Sequence, residues 1–90
     1  MNNNQSLIDL PNIGKTLAEK LIFAGIESPE QLFSIGSESA FVKLATIDQN
    51  ACINQLYALE GAVQGIRWHD LSLERKQELQ EFFKAVKKMK

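Results

Sequence analysis

Leu10-Pro11-Asn12-Ile13-Gly14-Lys15-Thr16 is a tight apolar hairpin that feeds the start of a helix. The residue before a proline avoids the α region, so a short helix from Ser6 to Leu10, with Leu7, Ile8 and Leu10 as its apolar content, is expected to stop at Pro11. Asn12 stands in the turn, where asparagine tolerates a positive φ better than most residues. A helix from about Lys15 to Ala24 then places Leu17, Leu21 and Ala24 on one stripe with Ala18 and Ile22 beside it. Gly25 suits the left-handed position past its end, with Ile26 packing back on Leu21. The first N–H groups of such a helix lack intrahelical acceptors and can hold a phosphate.

Beyond this unit, Ser28-Pro29-Glu30-Gln31 is a helix start: Ser28 caps, Pro29 takes the first helical position and Gln31 completes a capping box. This third helix is expected to end near Gly36, with Ser37 capping a fourth whose Phe41, Leu44 and Ala45 face inward. Asp48-Gln49-Asn50 breaks the pattern, and Asn50 is expected to cap the next helix. From Ala51 to about Gln64, Cys52, Leu56, Leu59 and Val63 form one apolar stripe and Ile53, Tyr57 and Ala58 a second, which predicts a central, largely buried helix. Gly61 and Gly65 suit the close approach of a neighbouring helix, or Gly65 serves as the cap. Ser72 can cap a last helix with Leu79, Phe82, Phe83, Val86 and Met89 along one face. No segment alternates with the period of a strand. The expected fold is all-α: a compact bundle of five to six short helices spanning residues 6–90 as one domain, after a disordered polar leader at 1–5.

The composition bounds what such a bundle can do. Ten Lys and Arg against eleven Asp and Glu leave a net charge of −1, so any nucleic-acid contact must be local rather than carried by bulk charge. That charge is uneven: residues 1–66 hold three lysines against seven acids, whereas residues 74–90 hold six bases against three. The one cysteine, Cys52, cannot close an intrachain disulfide, and with His69 it supplies two of the four ligands a structural zinc needs. No metal and no cofactor are expected. The start of the chain lacks a signal-peptide pattern and no apolar run approaches the ~18 residues of a membrane span, so a cytoplasmic protein without membrane contact is expected.

The hairpin and its helix resemble the helix-hairpin-helix motif, whose usual pattern is Leu-Pro-Gly-Ile-Gly, with Asn12 in place of the first glycine. That motif implies a grip on the DNA backbone without sequence reading. The run Ala24-Gly25-Ile26-Glu27-Ser28-Pro29-Glu30-Gln31-Leu32 resembles a pattern found in that superfamily, including the C-terminal domain of the bacterial RNA polymerase α subunit. A more specific match lies downstream. Leu56-Tyr57-Ala58-Leu59-Glu60-Gly61-Ala62 followed by Gly65-Ile66-Arg67-Trp68 resembles the signature of the C-terminal domain of TfoX/Sxy competence regulators, and with the hairpin it covers nearly the whole chain. Those regulators commonly carry a separate N-terminal domain, so the resemblance is to their C-terminal half. It implies a helical module linked to competence-gene activation and DNA transformation, with no enzymatic activity and no small-molecule substrate.

The candidate nucleic-acid contacts are Asn12, Ile13, Gly14, Lys15 and Thr16, with Lys84, Lys87, Lys88 and Lys90 as a second basic patch. Each has a plainer reading. Lys15 and Lys20 flank Glu19 on what can be a solvated mixed-charge face, and lysines in a last turn complement the helix dipole. The signature residues Tyr57, Glu60, Gly61, Arg67 and Trp68 are read as structural: Glu60 paired with a cation, Arg67 being the candidate, and Trp68 packed against the last helix. Cys52 is read as a core residue and His69 as a loop residue. Two functions follow: a regulatory module gripping the DNA backbone at residues 11–16, or a module docking a transcription regulator or polymerase subunit without touching DNA.

Overall fold

The computed structural model describes residues 6–88, so the leader at residues 1–5, Met89 and Lys90 lie outside the described residues. Four α-helices, α1 (Lys15–Phe23), α2 (Pro29–Ile47), α3 (Ile53–Gln64) and α4 (Leu73–Lys88), are joined by short turns, and no strand occurs among the described residues. The all-α expectation holds, but five to six helices become four. Ser6 to Leu10 forms only a 3₁₀ turn at Leu7–Asp9, because Pro11 forces Leu10 into extended geometry (φ −81°, ψ 149°). Gly36, expected to end a helix, is a break inside α2 at φ 83°, ψ 170°.

The ends of the helices follow local chemistry. The Ser28 hydroxyl accepts from the Gln31 amide at 3.2 Å, and the Ser72 hydroxyl from the Arg75 amide at 3.0 Å. α1 closes as expected: Gly25 takes φ 98°, its amide donates to Ile22 and the Ile26 amide reaches the Leu21 carbonyl at 2.8 Å. The same closure ends α3, with Gly65 at φ 77° and the Ile66 amide on the Gly61 carbonyl at 2.9 Å. Asn50 does not cap α3. Its amide is drawn to the Asp48 carboxylate at 2.9 Å, and the helix starts two residues later, where the Gln55 side chain accepts from the Cys52 amide at 3.1 Å. Cys52 therefore flanks the first turn and is exposed rather than in the core.

One core gathers the apolar faces. Phe41 and Leu44 of α2, Leu56 and Leu59 of α3 and Leu79 of α4 are fully buried, and Leu7, Leu10, Ile13 and Leu21 join them from the N-terminal side. Phe82 and Phe83 lie at its edge, Phe83 with its ring 5.7 Å from Phe41. A radius of gyration of 12.4 Å matches the ~12 Å of a compact chain this long.

The hairpin is fastened to this core by a side chain. Asn12 sits at φ 70°, and its amide turns inward to the end of α3. There its Nδ2 donates to the Ile66 carbonyl at 2.9 Å and the Ala58 carbonyl at 3.4 Å, while its Oδ1 accepts from the Trp68 amide at 3.0 Å. Gly61 makes the room. A Cβ there would crowd the Asn12 amide nitrogen and stand 2.8 Å from the Ile66 carbonyl oxygen and 3.1 Å from the Trp68 nitrogen. The close approach foreseen at Gly61 is thus made by the hairpin and the chain after α3. Gly61→Ala should gain about 1 kcal/mol in helix propensity yet lose more to this clash, for a net destabilisation of ~1–3 kcal/mol. Thermal melts of the two proteins check this, and an unchanged midpoint would refute the notch.

Candidate functional site

With Asn12 turned inward, the opposite side of the hairpin faces solvent. Gly14, Lys15 and Thr16 are exposed, and their amides find no acceptor among the described residues. The other two hairpin candidates are engaged. Ile13 is buried, with its amide on the Leu10 carbonyl at 3.3 Å, and the Asn12 side chain is committed to α3. Lys20, which flanks Glu19 with Lys15, is engaged too, its ammonium paired with Asp48 at 2.7 Å. That hydrogen bond, with the Asn50 amide, holds the Asp48 carboxyl below its ordinary range.

The hydrogen bonds of Asn12 bring a distant segment beside the hairpin. Ile66 and Trp68 both bond Asn12, so Arg67 is held between two anchored residues; it is exposed and has no ion-pair partner among the described residues. Trp68 to Asp70 forms a 3₁₀ turn. The Trp68 ring stacks on Tyr57 (5.6 Å between centroids, 17° between planes) and on His69 (4.0 Å, 27°), and the Lys76 ammonium lies 5.7 Å from it. The Gln80 side chain donates to the Tyr57 hydroxyl at 2.9 Å and fixes the inner ring. Trp68 thus packs chiefly on Tyr57 of α3, whereas the last helix, its expected partner, meets it through the Lys76 ammonium.

The C-terminal lysines are elsewhere. Lys87 bends back to the Gln49 carbonyl at 3.4 Å and over the Phe83 ring, while Lys84 and Lys88 are exposed. Lys87 is eleven residues beyond Lys76, some 16 Å along α4, so this patch sits at the end of α2 rather than beside Trp68.

Glu60 meets Arg75, not Arg67. Arg75 Nη2 donates to Glu60 Oε1 at 3.0 Å, the Ser37 hydroxyl to the same oxygen at 2.5 Å and Gln64 Nε2 to Oε2 at 2.6 Å. Ser37, expected to cap a helix, is buried, and the Gly36 break turns its hydroxyl toward α3. Arg75 also reaches Glu38 at 3.3 Å and Glu78 at 2.9 Å. Burial pushes the Glu60 carboxyl up, but the Arg75, Ser37 and Gln64 donors outweigh it and hold the group below its ordinary value, with Arg75 correspondingly raised. Sequence spacing gave no signal for this pairing, since Arg75 lies one helix further on than the nearer Arg67.

A third surface lies between α1 and the end of α2, where Thr16, Glu19, Phe23 and Ile47 line a shallow groove beside the Lys20–Asp48 pair. Phe23 is 80% exposed there. Among the described residues no cluster of three or more His, Cys, Asp or Glu is arranged to hold a metal ion, and no helix is long and apolar enough to cross a membrane.

This helical bundle, with its Tyr57-to-Gly61 turn docked on the hairpin, is matched over residues 3–83 by the family model of the TfoX C-terminal domain. The chain belongs to the TfoX C-terminal domain family. A crystal structure of a Listeria monocytogenes protein described as uncharacterized is similar, with a TM-score of 0.90 and 48% identity over 92% of this chain and 94% of that one. A second Listeria monocytogenes crystal structure, of a protein described as of unknown function, has a TM-score of 0.87 and 50% identity over 89% and 99% of the two chains. No curated protein matches.

The lowered Glu60 carboxyl sets an acid limit. Its pairing stabilises the fold fully above the ordinary glutamate value of 4.5 and is lost as the pH falls through the lower, folded value. Glu60→Gln should therefore be less stable than the native chain near neutral pH, and the gap should narrow below about pH 4.5, as urea titrations at both pH values would read. Equal stability throughout would show that the Arg75 pairing contributes nothing.

Proposed function

We propose that this chain is a non-enzymatic regulatory module of the competence-regulator type that grips the DNA backbone, without reading sequence, through the amides of Gly14, Lys15 and Thr16 and the Lys15 ammonium. The observation that carries this reading is the direction of Asn12. An asparagine in a helix-hairpin-helix-like turn would obstruct a phosphate if it pointed outward; here its side chain is spent on Ile66 and Trp68, and the outward amides stay open. Arg67, fixed beside the turn and unpaired among the described residues, adds a second cation to Lys15 where the first 66 residues are acidic on balance. Family membership supports the regulatory class. The engagement of Glu60 by three donors supports a structural role over acid–base chemistry. A module that meets DNA in this way works in the cytoplasm.

Phosphate contacts release counterions, so binding to a short duplex should fall steeply between about 50 and 200 mM salt. Lys15→Ala should weaken it for every sequence alike and lower the salt slope by about one. Fluorescence anisotropy against labelled duplexes reads both quantities. Unchanged binding in Lys15→Ala, together with loss on replacing Lys84, Lys87 and Lys88 by alanine, would move the contact to the end of α4.

A second reading, docking of a transcription regulator or polymerase subunit, is favoured by one observation: Phe23 stands 80% exposed beside Ile47. On this reading, partners captured from nuclease-treated extract are retained by the native chain and lost from Phe23→Ser. Partners lost from both on nuclease treatment would count against docking.

A further inference from the structure

We infer that the Tyr57–Trp68–His69 stack is a platform for a base of single-stranded nucleic acid, tied through Asn12 to the hairpin that carries the phosphate grip. The inference rests on the backbone-gripping reading and adds the part of the ligand that reading leaves unassigned. Three aromatic rings pass from interior to surface: Tyr57 is buried, Trp68 half-buried and His69 exposed. The inner two are immobilised, Tyr57 by Gln80 and the Trp68 backbone by Asn12. Packing explains those two rings but not the third. His69 lies flat on Trp68 at 4.0 Å while its imidazole makes no hydrogen bond among the described residues, so it adds a ring to the surface without completing the core.

The surroundings favour a nucleotide over a plain aromatic side chain. Arg67 precedes the stack, the Lys76 ammonium lies over Trp68, and the open amides of Gly14 to Thr16 belong to the hairpin that Asn12 ties to Trp68. Asp70 is the one carboxylate in the turn itself. Stacking on an aromatic surface tolerates any base, since each has a π-face, while cations follow the backbone. Bases inside a duplex are stacked on each other and cannot meet an exposed ring, so the platform selects unpaired strands. The hairpin then holds a phosphate and His69 carries a base of the same strand.

Trp68 is the only tryptophan, so its emission reports the site directly. The probe is a thymidine oligomer of about eight nucleotides, compared with an abasic oligomer of the same length and with a duplex. The thymidine strand should shift or quench Trp68 emission, and the abasic strand should bind more weakly without doing so. His69→Ala, at an exposed position that the fold does not need, should weaken the thymidine strand about tenfold and leave the abasic strand and the duplex unchanged. Lys15→Ala should weaken all three. Equal affinity of the native chain and His69→Ala for the thymidine strand overturns the platform and leaves the hairpin grip standing. Loss on His69→Ala with no effect of Lys15→Ala keeps the platform and removes the grip. Absence of binding by every strand at low salt overturns both.

Discussion

The side chain of Asn12 in the notch at Gly61 is the constraint that everything around the hairpin obeys. An asparagine amide has two donors and an oxygen acceptor, and here both ends are used on backbone that lies open just past the end of α3. A glycine at position 12 would adopt the same φ with less strain, yet would leave the Ile66 carbonyl and the Trp68 amide without these partners. A side chain at position 61 would fill the space that the asparagine needs. The two residues are complementary, and between them they decide where the hairpin, the end of α3 and the chain leading to α4 meet.

Next to Gly61, Glu60 makes the second fastening. Successive residues on a helix point about 100° apart, so one turn of α3 holds the hairpin on one side and Ser37 of α2 with Arg75 of α4 on another. A buried carboxylate with three donors is costly to disturb and adds direction to a core that is otherwise apolar. Hence the surfaces facing solvent at the hairpin and at Trp68 rest on a rigid base, and the distances between their groups are set by hydrogen bonds rather than by loop length.

Most of the fold was legible because its signals are local. Ser28, Pro29 and Ser72 start helices, Gly25 and Gly65 end them, and the spacing of Leu79, Phe82, Phe83 and Val86 names the inner face of α4. The misreadings arose where a residue's partner lies far along the chain. Ser37 reads as a cap until Glu60 is beside it, and Arg67 reads as the partner of Glu60 until α4 brings Arg75. The candidate site divides the same way. Lys15 and the open amides follow from the hairpin pattern, but the inward turn of Asn12 and the arrival of Arg67, Trp68 and His69 beside it depend on contacts more than fifty residues apart, which no periodicity encodes.

The span of the Asn12 clamp also governs the order in which the chain can become whole as it leaves the ribosome. Its partners lie 46, 54 and 56 residues downstream, and at typical elongation rates of about 5–20 residues per second the wait for Ile66 is roughly 3–11 s. During that interval α1 and α2 have their own caps and can form, yet the nascent hairpin has nothing to close upon and Leu7, Leu10 and Ile13 wait for the rest of the core they join. Synthesis of the N-terminal third therefore ends well before that third is finished as structure.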